Sequence, residues 1–367
     1  MSPVPRPLRI LYGVVGEGMG HAMRSAVILE HLTASGHDVR IVGSGRAAGY
    51  LASRYPDRVT EITGLTMVYE HNTVRKLKTA LQNLGAARGL PDNLRTFLSL
   101  SQGSPPDVVV SDFESFSYLF ARSLGLPVVS VDNMQIIDRC AHRSEVLKHE
   151  YAAFLLAKSI VKAKLPRANA YLVTTFFYPR IRKDRTSLHP PILRRVILDA
   201  KAKVARGDHV LVYQSGTSHE ALVDELKTLS VPFRVYGLRR VDRDVREGNL
   251  VFRPFSEDTF IEDLATARAV IAGGGFTLMG EAVFLGKPML SVPLVGQFEQ
   301  AINASYLQQL GYGLRTDRVS ARTVARFLDE TERYSTNLES FEHDRNAGIF
   351  AALDSAMLRA IEEGGRA

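Results

Sequence analysis

The chain lacks tryptophan and carries a single cysteine, Cys140, in 367 residues. One thiol excludes an internal disulfide framework and fits a reducing compartment. Long apolar runs are missing as well: none approaches the ~18 residues that a membrane-crossing helix requires. The first apolar run, residues 8–15, is short and opens onto glycines, unlike the core of a signal peptide. A cytoplasmic protein is therefore expected. No His/Cys cluster has zinc spacing, and no Gly-x-Ser-x-Gly elbow occurs. Asp242-Arg243-Asp244 has the form of a metal-binding Asp-x-Asp motif. It sits among Arg239, Arg240 and Arg246 in a turn-like stretch rather than after a buried strand, and it reads as a solvated loop. No metal site and no resident cofactor are expected.

The composition that remains, 45% hydrophobic and 23% charged, is that of a globular protein. The length exceeds one ordinary core, so two domains are expected. A net charge of +7 suits anionic partners, namely nucleotide diphosphates, an anionic membrane or nucleic acid; a mildly basic surface with no special partner accounts for it equally.

The first half alternates strands and helices. Residues 8–15 read as a buried strand, Gly16-Glu17-Gly18-Met19-Gly20-His21 as a glycine-rich turn, Ala22, Ala26, Leu29 and Leu32 as a helix face, and residues 39–42 as the second strand. This start predicts a doubly wound α/β domain. The glycine spacing is not the Gly-x-Gly-x-x-Gly fingerprint and no acidic residue follows the second strand, so a dinucleotide cofactor is set aside. Residues 107–112 form a strand ending at Asp112, and 127–132 one ending at Asp132. Ligands of open α/β sheets sit at strand C-termini, which places His21, Asp112 and the run Asn133-Met134-Gln135 around one cleft. Arg75, Lys76, Lys78, Arg88 and Arg95, interleaved with leucines, read either as a basic amphipathic surface that meets an acceptor or membrane or as a solvated helix pair. Residues 148–164 read as a lysine-bearing helix. Residues 170–175 read as the last strand of the first domain, and the Pro- and Arg-rich run 177–193 as the connector. Strand–helix alternation then restarts. The small turn Ser215-Gly216-Thr217 follows a strand at 209–214 and has N–H groups to offer a phosphate.

The most informative stretch is Ala272-Gly273-Gly274-Gly275-Phe276-Thr277-Leu278-Met279-Gly280-Glu281. It reads as a strand end, a glycine turn that lets backbone approach a ligand, and a helix start that attracts anions. Gly286-Lys287-Pro288 stops that helix. A further strand leads to Gln297-Phe298-Glu299-Gln300-Ala301-Ile302-Asn303-Ala304. The ordered pattern from Gly273 to Ala304 resembles the donor-binding segment of nucleotide-sugar glycosyltransferases of the GT-B architecture, two doubly wound Rossmann-like domains facing a central cleft. The resemblance implies that Gly273, Gly274, Gly275 and Thr277 hold a diphosphate, that Glu281 takes the ribose hydroxyls, and that Glu299 and Gln300, beside Gln297, take the sugar hydroxyls. It implies a base-reading role for Phe255 and Ser256, with Ser215, Gly216 and Thr217 completing the donor site. Plant-type relatives place a histidine where this chain has Gly273, so the phosphate charge must be met by backbone N–H groups or by another residue.

The N-terminal run from Gly16 to Ser25 resembles a glycine-His-x-x-Arg variant found in a bacterial and archaeal group of these transferases. The peptidoglycan lipid-intermediate N-acetylglucosaminyltransferase has a similar layout. The resemblance implies an acceptor-binding domain over residues 1–180, a linker at 181–195, a nucleotide-sugar domain at 196–345, and a final helix at 346–367 that crosses back. Sugar transfer needs a base for the acceptor hydroxyl. His21 is the candidate base, with Asp112 orienting its ring, and Glu17 and Asp132 are the alternatives. Glu17, Met19, Asn133 and Gln135 are the candidate acceptor contacts. The expected function is metal-independent, inverting transfer from a UDP sugar to a hydroxyl of a small or lipid-linked acceptor, with an anionic membrane as a further partner and no nucleic acid. An epimerase or hydrolase on the same scaffold, or a non-catalytic nucleotide-binding protein, are the alternatives.

Overall fold

Short runs of Val, Ile and Leu, buried on both faces, alternate with amphipathic helices and build two parallel sheets. The computed structural model describes residues 6–16, 18–64, 69–70, 73–74, 90–102, 105–148, 150–214 and 220–364. Glu17, the basic residues Arg75, Lys76, Lys78 and Arg88, and the turn Ser215, Gly216 and Thr217 lie outside the described residues.

The first unit contains β1 (Arg9–Val14), α1 (Met19–Ala34), β2 (Asp38–Gly43), α2 (Gly45–Arg54), β3 (Val59–Glu61), the two-residue strands β4 (Tyr69–Glu70) and β5 (Thr73–Val74), and α3 (Leu90–Ser101). It continues through β6 (Val108–Asp112), α4 (Ser115–Ser123), β7 (Val128–Asp132), α5 (Ile136–Arg139), α6 (Ser144–Leu147), α7 (Tyr151–Lys164), β8 (Ala170–Thr174) and β9 (Thr186–His189). Its sheet runs β3-β2-β1-β6-β7-β8-β9, with every neighbouring pair parallel.

The second unit contains α8 (Arg195–Ala200), β10 (Val210–Tyr213), α9 (Glu220–Lys227), β11 (Phe233–Tyr236), β12 (Val245–Glu247), β13 (Leu250–Phe252), α10 (Glu257–Thr266), β14 (Ala269–Ala272) and α11 (Phe276–Phe284). β15 (Met289–Ser291), α12 (Phe298–Gln309), β16 (Gly313–Arg315), α13 (Ala321–Asp329), α14 (Thr331–Leu338) and α15 (Ala347–Gly364) follow. The order is β12-β13-β11-β10-β14-β15-β16, with only β12 antiparallel. These are two doubly wound Rossmann-like domains, as the alternation predicts.

One expectation is corrected. Residues 170–175 are not the last strand of the first sheet: the run read as connector contains β9, which pairs in parallel with β8 from Tyr171↔Thr186 to Thr174↔His189. Pro190 and Pro191 masked this strand, because both lie just past its end. The helix expected over 148–164 is α7, which starts at Tyr151 and is preceded by the short α6. The true connector is held from the C-terminal side. Asn346 donates to Leu193 O at 2.8 Å and accepts from Leu193 N at 3.0 Å, and His343 donates to Pro191 O at 2.8 Å. Helix α15 then packs Ile349, Leu353, Ala356, Met357 and Ala360 into the core beneath β1, β6 and β7 of the first sheet.

An aromatic seam joins the domains. Phe177 stacks on Tyr306 at 4.0 Å between ring centroids, and Phe154 meets Phe298 at 5.4 Å. Arg315 pairs with Glu150 at 2.9 Å. His142 donates through Nε2 to Ile136 O at 3.0 Å, so its Nδ1 accepts from Tyr306 OH at 3.0 Å. Burial pushes the His142 imidazole down from 6.5 to about 4. Between these values the unfolded chain holds the extra proton, so this contribution is complete above pH 6.5 and is lost as pH falls toward 4. The loss amounts to about 2–3 kcal/mol. Thermal melts from pH 7 to 4 should show the wild type losing stability more steeply than His142→Gln; parallel curves would place the proton uptake elsewhere.

Candidate active site

Each sheet reverses its strand order once, between β1 and β6 in the first and between β10 and β14 in the second. Loops leaving adjacent strands at such a point part to opposite faces and leave a crevice. Register places Val14 opposite Asp112 at one crevice and Tyr213 opposite Ala272 at the other. The two crevices face each other: a Cβ on Gly20 would lie 2.5 Å from Thr277 Oγ1, so the start of α1 and the start of α11 meet across the cleft. A side chain at position 20 would have to displace the Thr277 hydroxyl.

His21 and Arg24 lie one helical turn apart on α1, and so on one face. Both reach Asp112. His21 Nδ1 is 2.8 Å from Asp112 Oδ1, which also accepts from Arg24 Nη2 at 2.6 Å. Asp112 Oδ2 accepts from Arg24 Nε at 2.9 Å and from Ser25 Oγ at 2.8 Å. Asp112 has no solvent exposure and Arg24 only 4%. Burial alone would raise the carboxyl's pKa, but the Arg24 guanidinium and His21 hold it well below the usual carboxylate range. A charged carboxylate facing Nδ1 favours the tautomer with the ring proton there, which leaves the Nε2 lone pair for a reacting group, although Arg24 Nη2 also lies 2.5 Å from the same Nδ1. Arg24 therefore belongs to the site. Sequence reasoning placed it in a motif without giving it a task; the i, i+3 spacing from His21 was the available signal.

The network crosses the cleft. Arg24 Nη1 donates to Asn133 Oδ1, and Asn133 Nδ2 donates to Glu299 Oε1 at 2.7 Å. Asn133 and Gln135, read as acceptor contacts, are buried, at 3% and 1% exposure. Asp132, an alternative base, is also buried and accepts from Ser130 Oγ and Gln135 N, at 2.7 and 2.8 Å. Burial, with Asp112 nearby, raises its pKa. Met19 opens α1 and packs partly against the first core.

On the other side, Gly275 caps α11 without a side chain, and the first turn carries no acidic residue. The N–H groups of that turn therefore present a bare positive dipole end to the cleft. Gly274 differs from the expectation of a free donor, since its N–H donates to Gln300 Oε1 at 3.0 Å and its carbonyl accepts from Asn303 Nδ2 at 3.1 Å. A Cβ there would strike Gln300 backbone O at 2.4 Å, so this glycine serves close packing on α12. Gln300 Oε1 also accepts from Leu294 N at 3.0 Å. Gly273 sits beside it, its carbonyl accepting from Ser291 Oγ at 3.4 Å, and Gln297 is the N-cap of α12. Glu281 is 3% exposed; Arg194, just before α8, donates to its Oε1 from Nε at 3.0 Å and from Nη2 at 2.7 Å, and also pairs with Glu257. Burial raises the Glu281 pKa against the pull of Arg194. Phe255 is 62% exposed and packs one side on Phe260 at 5.7 Å; Ser256 caps α10. Arg46, at the start of α2, acts electrostatically on Tyr213 at the end of β10 and makes no ion pair with a described carboxylate. Sequence reasoning passed over this cation, because it is far from Tyr213 in the chain.

Removing one partner from the Asp112–Arg24 pair should be costly. Arg24→Met leaves a buried carboxylate uncompensated, a loss of about 3–5 kcal/mol, read as a lower denaturant midpoint. The double variant Arg24→Met/Asp112→Asn should recover much of it, since no lone charge then stays buried. A single variant within 1 kcal/mol of the wild type, on the order of an ordinary surface effect, would contradict this account.

Residues 8–331 match the family described as glycosyl transferase family 1. The chain is 25% identical over 358 residues to an uncharacterized glycosyltransferase of Methanosarcina mazei, covering 89% of this chain and 92% of the relative. It is 31% identical over 142 residues to UDP-N-acetylglucosamine–N-acetylmuramyl-(pentapeptide) pyrophosphoryl-undecaprenol N-acetylglucosamine transferase 1 of Bacillus thuringiensis, covering 35% of this chain and 40% of that one. The solved structure of a UDP-glucose: anthocyanidin 3-O-glucosyltransferase in complex with UDP superposes with a TM-score of 0.69 at 13% identity, over 96% of this chain and 99% of that one. With the two facing switch points and their shared fold, these matches establish that the chain belongs to glycosyl transferase family 1 and is a glycosyltransferase.

Proposed function

We propose that the protein transfers a sugar from a UDP sugar to a hydroxyl acceptor, with inversion and without a metal. The observation that carries this reading is the position of His21: its Nδ1 is fixed by a buried carboxylate, and its helix start meets the uncapped N-terminus of α11. The acceptor hydroxyl gives its proton to His21 Nε2, and its oxygen forms the new bond to the sugar's anomeric carbon. The bond from that carbon to the diphosphate oxygen breaks, and its electron pair leaves with the diphosphate. The imidazolium is stabilised by Asp112, as in hydrolase triads. The charge arriving on the leaving group is met by the N–H groups of Gly275, Phe276 and Thr277 at the dipole end of α11, supported by Arg46. Phe255 offers an exposed ring for the base to stack on.

Glu281 binds the ribose in this reading, and Glu299 with Gln300 the sugar hydroxyls. The names of two of the similar proteins state a UDP-sugar donor, which supports the choice of base. One of them acts on a pyrophosphoryl-undecaprenol acceptor. Helix α7 exposes Tyr151, Leu155 and Leu156 beside Lys158 and Lys162, a surface suited to a lipid-linked acceptor at an anionic membrane. No helix among the described residues is long and apolar enough to cross a membrane.

Calorimetry with UDP, GDP and dTDP should show binding to UDP first. Glu281→Ala should weaken UDP by ~1.5–3 kcal/mol, the cost of hydrogen bonds to a charged group; unchanged affinity would remove Glu281 from the donor site. His21→Ala should cut sugar transfer, or donor hydrolysis where water stands in for the acceptor, by ~10²–10⁴-fold while leaving UDP affinity nearly intact. Asp112→Asn should impair turnover too, and the two losses should not add, because the residues act as one unit. Wild-type turnover in His21→Ala would make the histidine structural.

A further inference from the structure

The first sheet carries a second concavity at its other end. His21 and Asp112 lie beyond the C-termini of β1 and β6, whereas this cavity opens beside the starts of β7, β8 and β9. The strands between the two ends are five residues long, roughly 16 Å at ~3.3 Å per residue. The cavity has a volume of about 360 Å³, and Arg122, Arg139, Arg167, Arg185, Asn169 and Tyr171 line it.

Four separate segments bring these guanidinium groups together. Arg122 comes from the last turn of α4, Arg139 from the end of α5, Arg167 from the turn before β8, and Arg185 from the residue before β9. Arg139 is built in: it is 7% exposed and its guanidinium lies 3.5 Å from the centre of the Tyr171 ring. Its Nε donates to Thr186 Oγ1 at 2.6 Å and its Nη2 to Asp184 O at 2.5 Å. Arg185 is held at φ 59°, a conformation disfavoured for a side chain of this size, while its carbonyl accepts from Tyr171 N at 2.7 Å. Asn169 Oδ1 accepts from Val128 N at 3.0 Å, which fixes its amide at the rim.

Counter-charge within the protein is scarce at this place. Among the described residues none of the four arginines makes an ion pair with a carboxylate. Asp138 is turned to Lys183 at 2.5 Å, and Glu363 reaches Asn169 Nδ2 at 3.3 Å rather than a guanidinium. Burial lowers the Arg139 pKa, the direction expected for a cation without a counterion. Like charges gathered round one cavity repel, and an anion in the cavity removes that repulsion. Planar guanidinium forks match the oxygens of phosphate groups.

We propose that this cavity binds an oxyanion, a phosphate or diphosphate group, at a site remote from the transfer centre. Two sources carry that chemistry, a free phosphorylated solute and a phospholipid headgroup. Leu119 and Leu124, 61% and 48% exposed on either side of Arg122, would accommodate the second.

The test uses the full chain and a variant carrying Arg122→Gln and Arg167→Gln, both exposed positions whose replacement leaves the fold intact by melting temperature. A control variant carries Arg240→Gln and Arg243→Gln, exposed arginines elsewhere. Each protein, with excess UDP present to fill the donor cleft, is titrated calorimetrically with inorganic pyrophosphate at constant ionic strength, and floated with vesicles of phosphatidylcholine alone or with added phosphatidic acid. The Arg122/Arg167 variant should bind pyrophosphate at least about tenfold more weakly than the wild type, with the control unchanged. If flotation with phosphatidic acid is lost in parallel, the site takes a headgroup; if flotation is equal in all three proteins, it takes a free solute. Equal pyrophosphate affinity in wild type and variant would overturn the proposal, because all binding would then lie elsewhere. An equal loss in the control would overturn it too, by reducing the effect to net charge, and so would wild-type protein that binds neither pyrophosphate nor phosphatidic acid.

Discussion

The Asp112 carboxylate is the constraint around which the cleft is arranged. It ends a strand buried on both faces and has no contact with solvent. A lone charge there would be several kcal/mol too costly to keep. It persists because four donors from three neighbouring residues of one helix converge on its two oxygens. This requirement fixes the rotation of α1 about its axis, since His21, Arg24 and Ser25 must all face β6 together. The orientation of the His21 imidazole is thus a by-product of satisfying a buried charge. Rigidity of this kind is what a base needs, because misplacement by an ångström can cost orders of magnitude in rate.

The second constraint is steric and works both between the domains and within the second. Gly20 allows the start of α1 to touch Thr277, Gly274 allows the turn to lie on α12, and Gly280 allows α11 to lie against Pro191, where a Cβ would be 2.8 Å from the proline ring. At Gly274 the neighbour is Gln300 backbone, while at Gly20 and Gly280 it is the Thr277 hydroxyl and the Pro191 ring. The connector is gripped by Asn346 and His343 near the crossing of the C-terminal segment, so the relative position of the domains is set at the hinge as well as at the cleft.

Much of this was legible in the sequence. The two sheets follow from the strand–helix alternation, and His21 with Asp112 from the rule that ligands collect at strand C-termini. The glycine turn after β14 was readable because strand, glycines and helix follow one another without a gap. What escaped was long-range. Strand β9 was hidden because a four-residue, half-buried edge strand carries no apolar run. Arg24, Arg194 and Arg46 were passed over because an arginine's partner is chosen by the fold: Arg194 meets Glu281 across 87 residues of sequence. The interior positions of Asn133, Gln135 and Asp132 were invisible for a related reason. The residues after a strand's last carboxylate can turn toward the cleft or fold back beneath it, and the four-residue helix α5 takes them back.

The polar groups that the resemblance assigns to the donor are not idle without it. Glu299 accepts from Asn133, Gln300 from Gly274 and Leu294, and Glu281 from Arg194. Buried polar atoms left unpaired would destabilise the empty cleft, so partners within the protein occupy them. A ligand that uses these groups exchanges one set of hydrogen bonds for another and gains only the difference. The Asn133–Glu299 bond carries an additional consequence, because Asn133 also accepts from Arg24, and Arg24 braces Asp112. Whatever draws Glu299 away from Asn133 changes the surroundings of the same guanidinium that braces Asp112 beside His21. Four side chains therefore connect occupancy at α12 to the dyad at α1, through direct hydrogen bonds and across the domain boundary.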